Sequence, residues 1–218
     1  MATSEMHSSM AGLIHTPIIL IPGMTAEASA MEPVKRDLVI SGWSPDILFI
    51  WTDSSKMTQD LAVAAQELGE KVNEVIRQTG AAKLVLITWS ASALAGRYYI
   101  KELGGSKKVS IYIAFAAPQH GTTNNACRQF VSCQQFGDFQ SPFLTALNAG
   151  TEVPGSPAVK YLTISSMNDV NVLPAESTIL SGADENYLMS GRTAPNHFTI
   201  ISDQAALAKM KGFIRANE

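Results

Sequence analysis

A chain of 218 residues, 46% of them hydrophobic, is long enough to bury a substantial core and has the composition of an ordinary globular protein. Its formal net charge of -3 is small, and its 16 lysines and arginines are scattered rather than clustered, which excludes a nucleic-acid surface. No apolar run approaches the length needed to cross a bilayer, so no transmembrane segment is expected.

Residues 1–15 read as a flexible N-terminal segment, and residues 16–218 as a single domain. Met1 to Gly12 is polar and Ser-rich and lacks the charged-then-apolar layout of a signal peptide. The first strand is expected at Ile18–Ile21, and it runs into a Gly-containing turn, Pro22-Gly-Met-Thr25. A helix follows Ala30, passes through Val34, Leu38 and Val39, and ends near Gly42; a second strand follows at Ile47–Trp51. The clearest helical pattern runs from Thr58 to Thr79. Leu61, Ala64, Leu68, Val72, Val75 and Ile76 form its apolar stripe, and Gly80 is its stop. A third strand at Leu84–Thr88 breaks sharply at Ser90, and a helix resumes from Ala91 to Leu103, before Gly104-Gly105.

The fourth strand is expected at Val109–Ala116. Residues 118–159 then hold no strong strand, which reads as a lid-like insertion. This stretch carries Cys127 and Cys133, the polar cluster Thr122-Thr-Asn-Asn125 and a short helix at Pro142–Asn148; its Phe136, Phe139 and Phe143 argue against disorder. Two strands at Lys160–Ile164 and Glu185–Met189 and a last helix from Asp203 to Ile214 complete the pattern. Most strand segments are near-continuous apolar runs, as parallel strands covered on both faces require. Strand-helix alternation of this kind predicts an α/β domain with a mostly parallel sheet of about six strands and helices on both faces.

Chemistry concentrates where strands end. A strand, a tight turn bearing Ser90 and a helix are the parts of a nucleophile elbow. Asp169 follows the fifth strand, in Met167-Asn-Asp169-Val-Asn-Val, and His197 follows the sixth, in Ala194-Pro-Asn-His197-Phe. In a parallel sheet all carboxyl ends share one edge, so residues following different strands can converge there. A serine hydroxyl is a poor nucleophile until a base removes its proton. His197 can take that proton, and Asp169 can hold the imidazole in the right tautomer. The turn after the first strand would supply the Met24 N–H, opposite the Ala91 N–H, as donors to an oxyanion, with the Thr25 hydroxyl as a possible third.

Competing assignments are weaker on position. Ser92 as nucleophile would place Leu94 where an elbow needs a small residue. His7 and His15 precede the core, and His120 follows the fourth strand, where no base is required. Asp184 competes with Asp169, while Asp203 opens the last helix and suits an N-cap. Trp89, Ser92, His120, Phe139, Val170 and Phe198 are candidate pocket residues. Met24, Phe136 and Phe143 join Phe139 and Val170 as a candidate apolar lining for an acyl chain. The cysteine pair is either a small disulfide loop or two free thiols, and without further ligands it makes no metal site.

Three motifs together, Thr88-Trp-Ser-Ala-Ser92, Ile21-Pro-Gly-Met-Thr25 and Ala114-Phe-Ala-Ala-Pro-Gln-His-Gly-Thr122, resemble the small α/β-hydrolase lipases and esterases. Ile21-Pro-Gly and Thr88-Trp-Ser are similar to the Candida antarctica lipase B type. Ala116 to Thr122, Cys127 to Cys133 and Ser141 to Gly150 are similar to secreted actinobacterial class 2 lipases. The resemblance runs from about Thr16 onward. It implies ester hydrolysis through an acyl-enzyme, with Ser90, Asp169 and His197 catalytic, Met24 and Ala91 as oxyanion donors, and no cofactor. It also implies a Cys127–Cys133 disulfide, an extracellular location and small ester or lipid substrates; nothing in the sequence sets an oligomeric state. The departure is Ser92, where the usual G-x-S-x-G pattern has glycine. Its CH2OH either strains the elbow or enters the pocket. Acyl transfer or thioester hydrolysis, and a degenerate fold used for binding, are the alternative functions.

Overall fold

The computed structural model describes residues 15–218. The segment expected to be flexible lies outside the described residues except for His15, which stacks on Trp43 with ring centroids 4.3 Å apart and meets Glu218 at 2.8 Å. Six strands form one sheet: β1 (Ile18–Ile21), β2 (Leu48–Ile50), β3 (Leu84–Trp89), β4 (Val109–Phe115), β5 (Lys160–Ser166) and β6 (Glu185–Met189). They pair in parallel in the order β2-β1-β3-β4-β5-β6.

Strand alternation sends successive side chains to opposite faces, and each face has its own core. Ile18, Leu20, Val85 and Ile87 pack with α1 (Glu32–Ile40) and α6 (Gln204–Asn217). Ile19, Ile21, Leu84 and Leu86 pack with α2 (Leu61–Thr79) and α3 (Ser92–Glu102). Both faces are covered, so the strands read as unbroken apolar runs. Each fully buried aliphatic side chain contributes about 1.5–3 kcal/mol relative to exposure.

The differences from expectation lie at element ends and in the insertion. β2 is three residues long, shorter than expected, and β5 runs on to Ser166 because Ser165 and Ser166 pair with Leu188 and Met189 of β6. α2 begins at Leu61, not Thr58. The Asp60 carboxylate accepts the Ala62 N–H at 2.8 Å, and Gln135 Oε1 accepts the Leu61 N–H at 2.8 Å. Residues 118–159 hold the expected α5 (Pro142–Asn148) and an unexpected α4 (Val131–Phe136). Six residues, Val-Ser-Cys-Gln-Gln-Phe, are too few for an apolar stripe to show. Tertiary ties hold α4 instead: the Cys127–Cys133 disulfide at its start and a Ser141 hydroxyl donating to the Gln135 carbonyl at its end.

One consequence of topology positions the site. The chain steps from β1 to β2 on one side and then crosses to β3 on the other. The loops after β1 and β3 therefore separate at a switch point, where open α/β sheets form a crevice at their carboxyl edge. Ile21 of β1 pairs with Thr88 of β3, which brings the Gly23 turn directly beside Ser90.

Candidate active site

Ser90 stands between β3 and α3 with φ of 61°, a left-handed conformation that strains any residue with a Cβ. Its own N–H donates to Phe115 O at 2.8 Å, tying the turn to the end of β4. The turn is tight because its neighbours are small. A Cβ on Gly23 would sit 3.1 Å from Ser90 Cβ and 3.2 Å from Trp89 O. A Cβ on Gly96 would sit 3.3 Å from Thr88 Cγ2.

Ser92 resolves the departure at the elbow and corrects its assignment as a pocket residue. Its side chain is fully buried and absent from the cleft. The hydroxyl is 2.9 Å from Trp89 O and 3.1 Å from Ile21 O, and it accepts the Trp89 N–H at 3.1 Å. It therefore braces the elbow against the end of β1.

His197 and Asp169 arrive on two later loops. Nε2 of His197 is 3.1 Å from Ser90 Oγ, and Nδ1 is 2.8 Å from Asp169 Oδ2. The second carboxylate oxygen accepts the N–H groups of Asn171 and Val172 at 2.7 and 2.9 Å. Accepting on every side, the carboxylate sets the tautomer: Nδ1 carries the proton, and Nε2 is free to accept from Ser90. Asp169 and His197 are 2% and 5% exposed, so this relay is sheltered from water. Three ties hold the two loops in place. Asn168 Nδ2 donates to Gly191 O and Ala194 O at 3.1 and 2.8 Å, and Trp89 Nε1 donates to His197 O at 3.0 Å.

The rival carboxylates do other work. Burial pushes the Asp184 carboxyl up. Hydrogen bonds from Tyr161 N–H and Lys160 Nζ, each at 2.9 Å, outweigh this and hold it below its usual range. Asp203 caps α6, accepting from Ala205 and Ala206 N–H at 3.0 Å. His120 pairs with Glu152 at 3.0 Å and lies outside the cleft.

The Met24 and Ala91 N–H groups find no acceptor among the described residues. Both belong to turns that flank Ser90, and Ala91 sits at the N-terminus of α3, where the helix field favours negative charge. Thr25, expected to offer a third donor, has both of its polar groups occupied. Its hydroxyl donates to Met24 O at 2.6 Å and its N–H to Lys56 O at 2.9 Å.

A cleft of about 280 Å³ opens over Ser90 and His197. Of the anticipated pocket residues, Trp89, Phe198, Met24 and Phe136 line it. Phe139 and Val170 do not, being 45% and 62% exposed elsewhere, and Phe143 stacks on Tyr98 at 5.7 Å. The insertion supplies much of the rest, Pro118, Thr122, Asn124, Cys127 and Phe130, with Asn171 and Val172 from the loop that bears Asp169. Sequence reasoning marked the Thr122–Asn125 cluster as polar and gave it no role. Thr122 Oγ1 donates to Asn171 O at 2.8 Å and accepts the Leu173 and Asn124 N–H groups at 3.0 and 3.1 Å. It thus staples the insertion to the Asp169 loop. Within the insertion's own footing the buried Arg97 guanidinium of α3 donates to Gln119 Oε1 at 2.9 Å and Asn148 Oδ1 at 2.7 Å, and burial lowers its pKa. Burial also pushes the neighbouring Tyr112 hydroxyl up to about 12, so it stays a neutral donor to Ala93 O at 2.7 Å.

Sheet order, elbow and loop placement define an α/β-hydrolase fold. Solved structures with this fold are similar to the chain at low identity. Aspergillus fumigatus lipase B matches with a TM-score of 0.74 at 19% identity, over 89% of this chain and 51% of its own. A Listeria innocua gene product matches with a TM-score of 0.70 at 15% identity, over 94% and 95% of the two chains. The mature Bacillus licheniformis lipase BlEst2 gives 0.66 at 15% identity, over 92% of each. The chain thus spans about half of the Aspergillus enzyme and nearly all of the other two. No protein-family model matches it. Among the described residues, no helix is long and apolar enough to cross a membrane.

Proposed function

We propose that the protein is a serine hydrolase of neutral carboxylic esters that works through an acyl-enzyme. The observation that carries this reading is the continuous relay from Asp169 through His197 to Ser90, at 2.8 and 3.1 Å, beside two unpaired N–H groups. Ser90 Oγ attacks the ester carbonyl as His197 Nε2 takes its proton. The carbonyl oxygen becomes an oxyanion that accepts from the Met24 and Ala91 N–H groups, and His197 then protonates the departing alcohol. Water, activated by the same imidazole, attacks the acyl-Ser90 and releases the acid. One such donor is worth about 2.7–4 kcal/mol of barrier. The lipases among the structural neighbours, and the motif likeness to the lipase B and actinobacterial types, support the ester assignment.

Transfer from a phosphate-bearing acyl carrier is the weaker reading. Among the described residues, no lysine, arginine or other permanently charged side chain lines the cleft, and a phosphate handle needs cationic partners. The test is an aryl phosphonate with peptide mapping. Stoichiometric labelling on Ser90, absent in Ser90→Ala, is the expected result. An intact, folded chain that remains unlabelled at neutral pH refutes the proposal.

A further inference from the structure

The cleft mixes apolar and polar side chains, and one of the polar ones has a forced orientation and unused donors. Asn124 Oδ1 accepts the Ala126 N–H at 3.0 Å, so its amide nitrogen faces the other way. That nitrogen donates to Val170 O at 2.9 Å and to Asn171 Oδ1 at 3.3 Å. The Asn171 amide is thereby oriented too. Its oxygen faces Asn124, and both N–H groups of Nδ2 are left without a partner among the described residues. The backbone of Asn171 is held as firmly, because its N–H donates to Asp169 Oδ1 at 2.7 Å and its carbonyl accepts from Thr122 Oγ1 at 2.8 Å. This is a preorganised donor two residues from the acid of the relay.

Resting on the ester-hydrolase reading, we infer that Asn171 selects substrates. The cleft takes short esters that carry a second, neutral oxygen acceptor (an ether, a ketone or another ester carbonyl) within reach of the Asn171 amide. Three observations set this class. A cavity of about 280 Å³ lies at the low end for ligand sites, which suits a short chain. Among the described residues its lining holds no lysine, arginine, aspartate or glutamate, which disfavours charged substituents. The cleft that Asn171 lines also carries Phe130, Phe136, Val172 and Met24, and a plain alkyl chain bound among them over the amide would strip its water without replacing the lost bonds. A site built to bond a substrate oxygen discriminates against the analogue that lacks it.

The experiment compares isosteric pairs in which one CH2 is replaced by O. Methyl pentanoate against methyl 3-methoxypropanoate probes the acyl side, and butyl acetate against 2-methoxyethyl acetate probes the alcohol side. Each kcat/KM ratio is divided by the ratio of the hydroxide-catalysed rates in solution, which removes the intrinsic activation by the ether. In the wild type at least one corrected ratio is expected to favour the ether about tenfold. Asn171→Ala and Asn171→Asp should bring it near one. The aspartate variant keeps the acceptor facing Asn124 and loses both donors, so it decides the matter if the alanine variant does not fold. Corrected ratios near one for both wild-type pairs overturn the inference, as does a preference that survives in Asn171→Asp. In either case the esters are still turned over and the hydrolase reading stands. Absence of turnover together with absence of phosphonate labelling overturns both.

Discussion

The elbow after β3 and the carboxylate loop after β5 serve one relay but are built by different means. At the elbow the backbone itself is the device. Ser90 is held at φ 61° between a buried strand and a buried helix, with Gly23 in close contact and Ser92 bonded beneath it. The Asp169 loop has no such scaffold. Its shape comes from side chains of the insertion, chiefly Thr122 and Asn124, reaching its main chain. The contrast teaches where precision is needed. On the proposed mechanism the atom that forms a bond sits on rigid elements, because small displacements of nucleophile and oxyanion donors would cost much of the rate. The carboxylate orients an imidazole and sits on a loop, and the same loop holds Asn171 on the cleft wall.

Substitutions test this contrast at different strengths. The largest effect is expected for Asp169→Asn, which alters the tautomer of His197 without changing volume. It should lower kcat about 10⁴-fold while far-ultraviolet circular dichroism is unchanged. A loss below tenfold would mean the carboxylate matters only for packing. Next comes Ser92→Ala, which removes the hydroxyl's bonds to Trp89 O and Ile21 O and so frees the elbow from the end of β1. Stability should fall by about 1–3 kcal/mol in urea titrations, with a fall of about tenfold or more in kcat and little change in KM. Ser92→Gly should follow the same direction, although glycine is the usual residue at this point of an elbow. Wild-type kcat in both variants would show that the brace is dispensable. The smallest effect is expected for Thr122→Val. It removes three hydrogen bonds from the loop side only and should cost about 1–2 kcal/mol of stability and a few-fold in kcat. If Thr122→Val proves more damaging to kcat than Ser92→Ala, the ranking of the two regions is inverted.

Legibility followed the same division. The central strands were readable because their residues are apolar on both faces, and Leu84–Trp89 ending in Ser90 announces a turn through an abrupt change of character. Asp169 and His197 were legible from their places after strands. α4 was not, because a disulfide and neighbouring loops hold it and no apolar stripe does. Val170 and Phe139 were wrongly expected in the cleft, since apolar character marks a residue for contact without saying with what. Asn171 went unnoticed for the converse reason: an amide in a turn-rich stretch is ordinary until its neighbours are known.

Periodicity and strand endings by themselves determined the α/β layering, the order of the elements and which three residues meet at the carboxyl edge, because these follow from local patterns and from the geometry of parallel strands. Tertiary structure alone decided that Ser92 is a brace, that the Thr25 hydroxyl is engaged within its own turn, and that Asn124 orients the Asn171 amide into the cleft. The Ser92 and Asn171 outcomes depend on hydrogen-bond partners supplied by segments distant in the chain, and the Thr25 turn is itself tied to the distant Lys56 carbonyl; no local pattern encodes such partners.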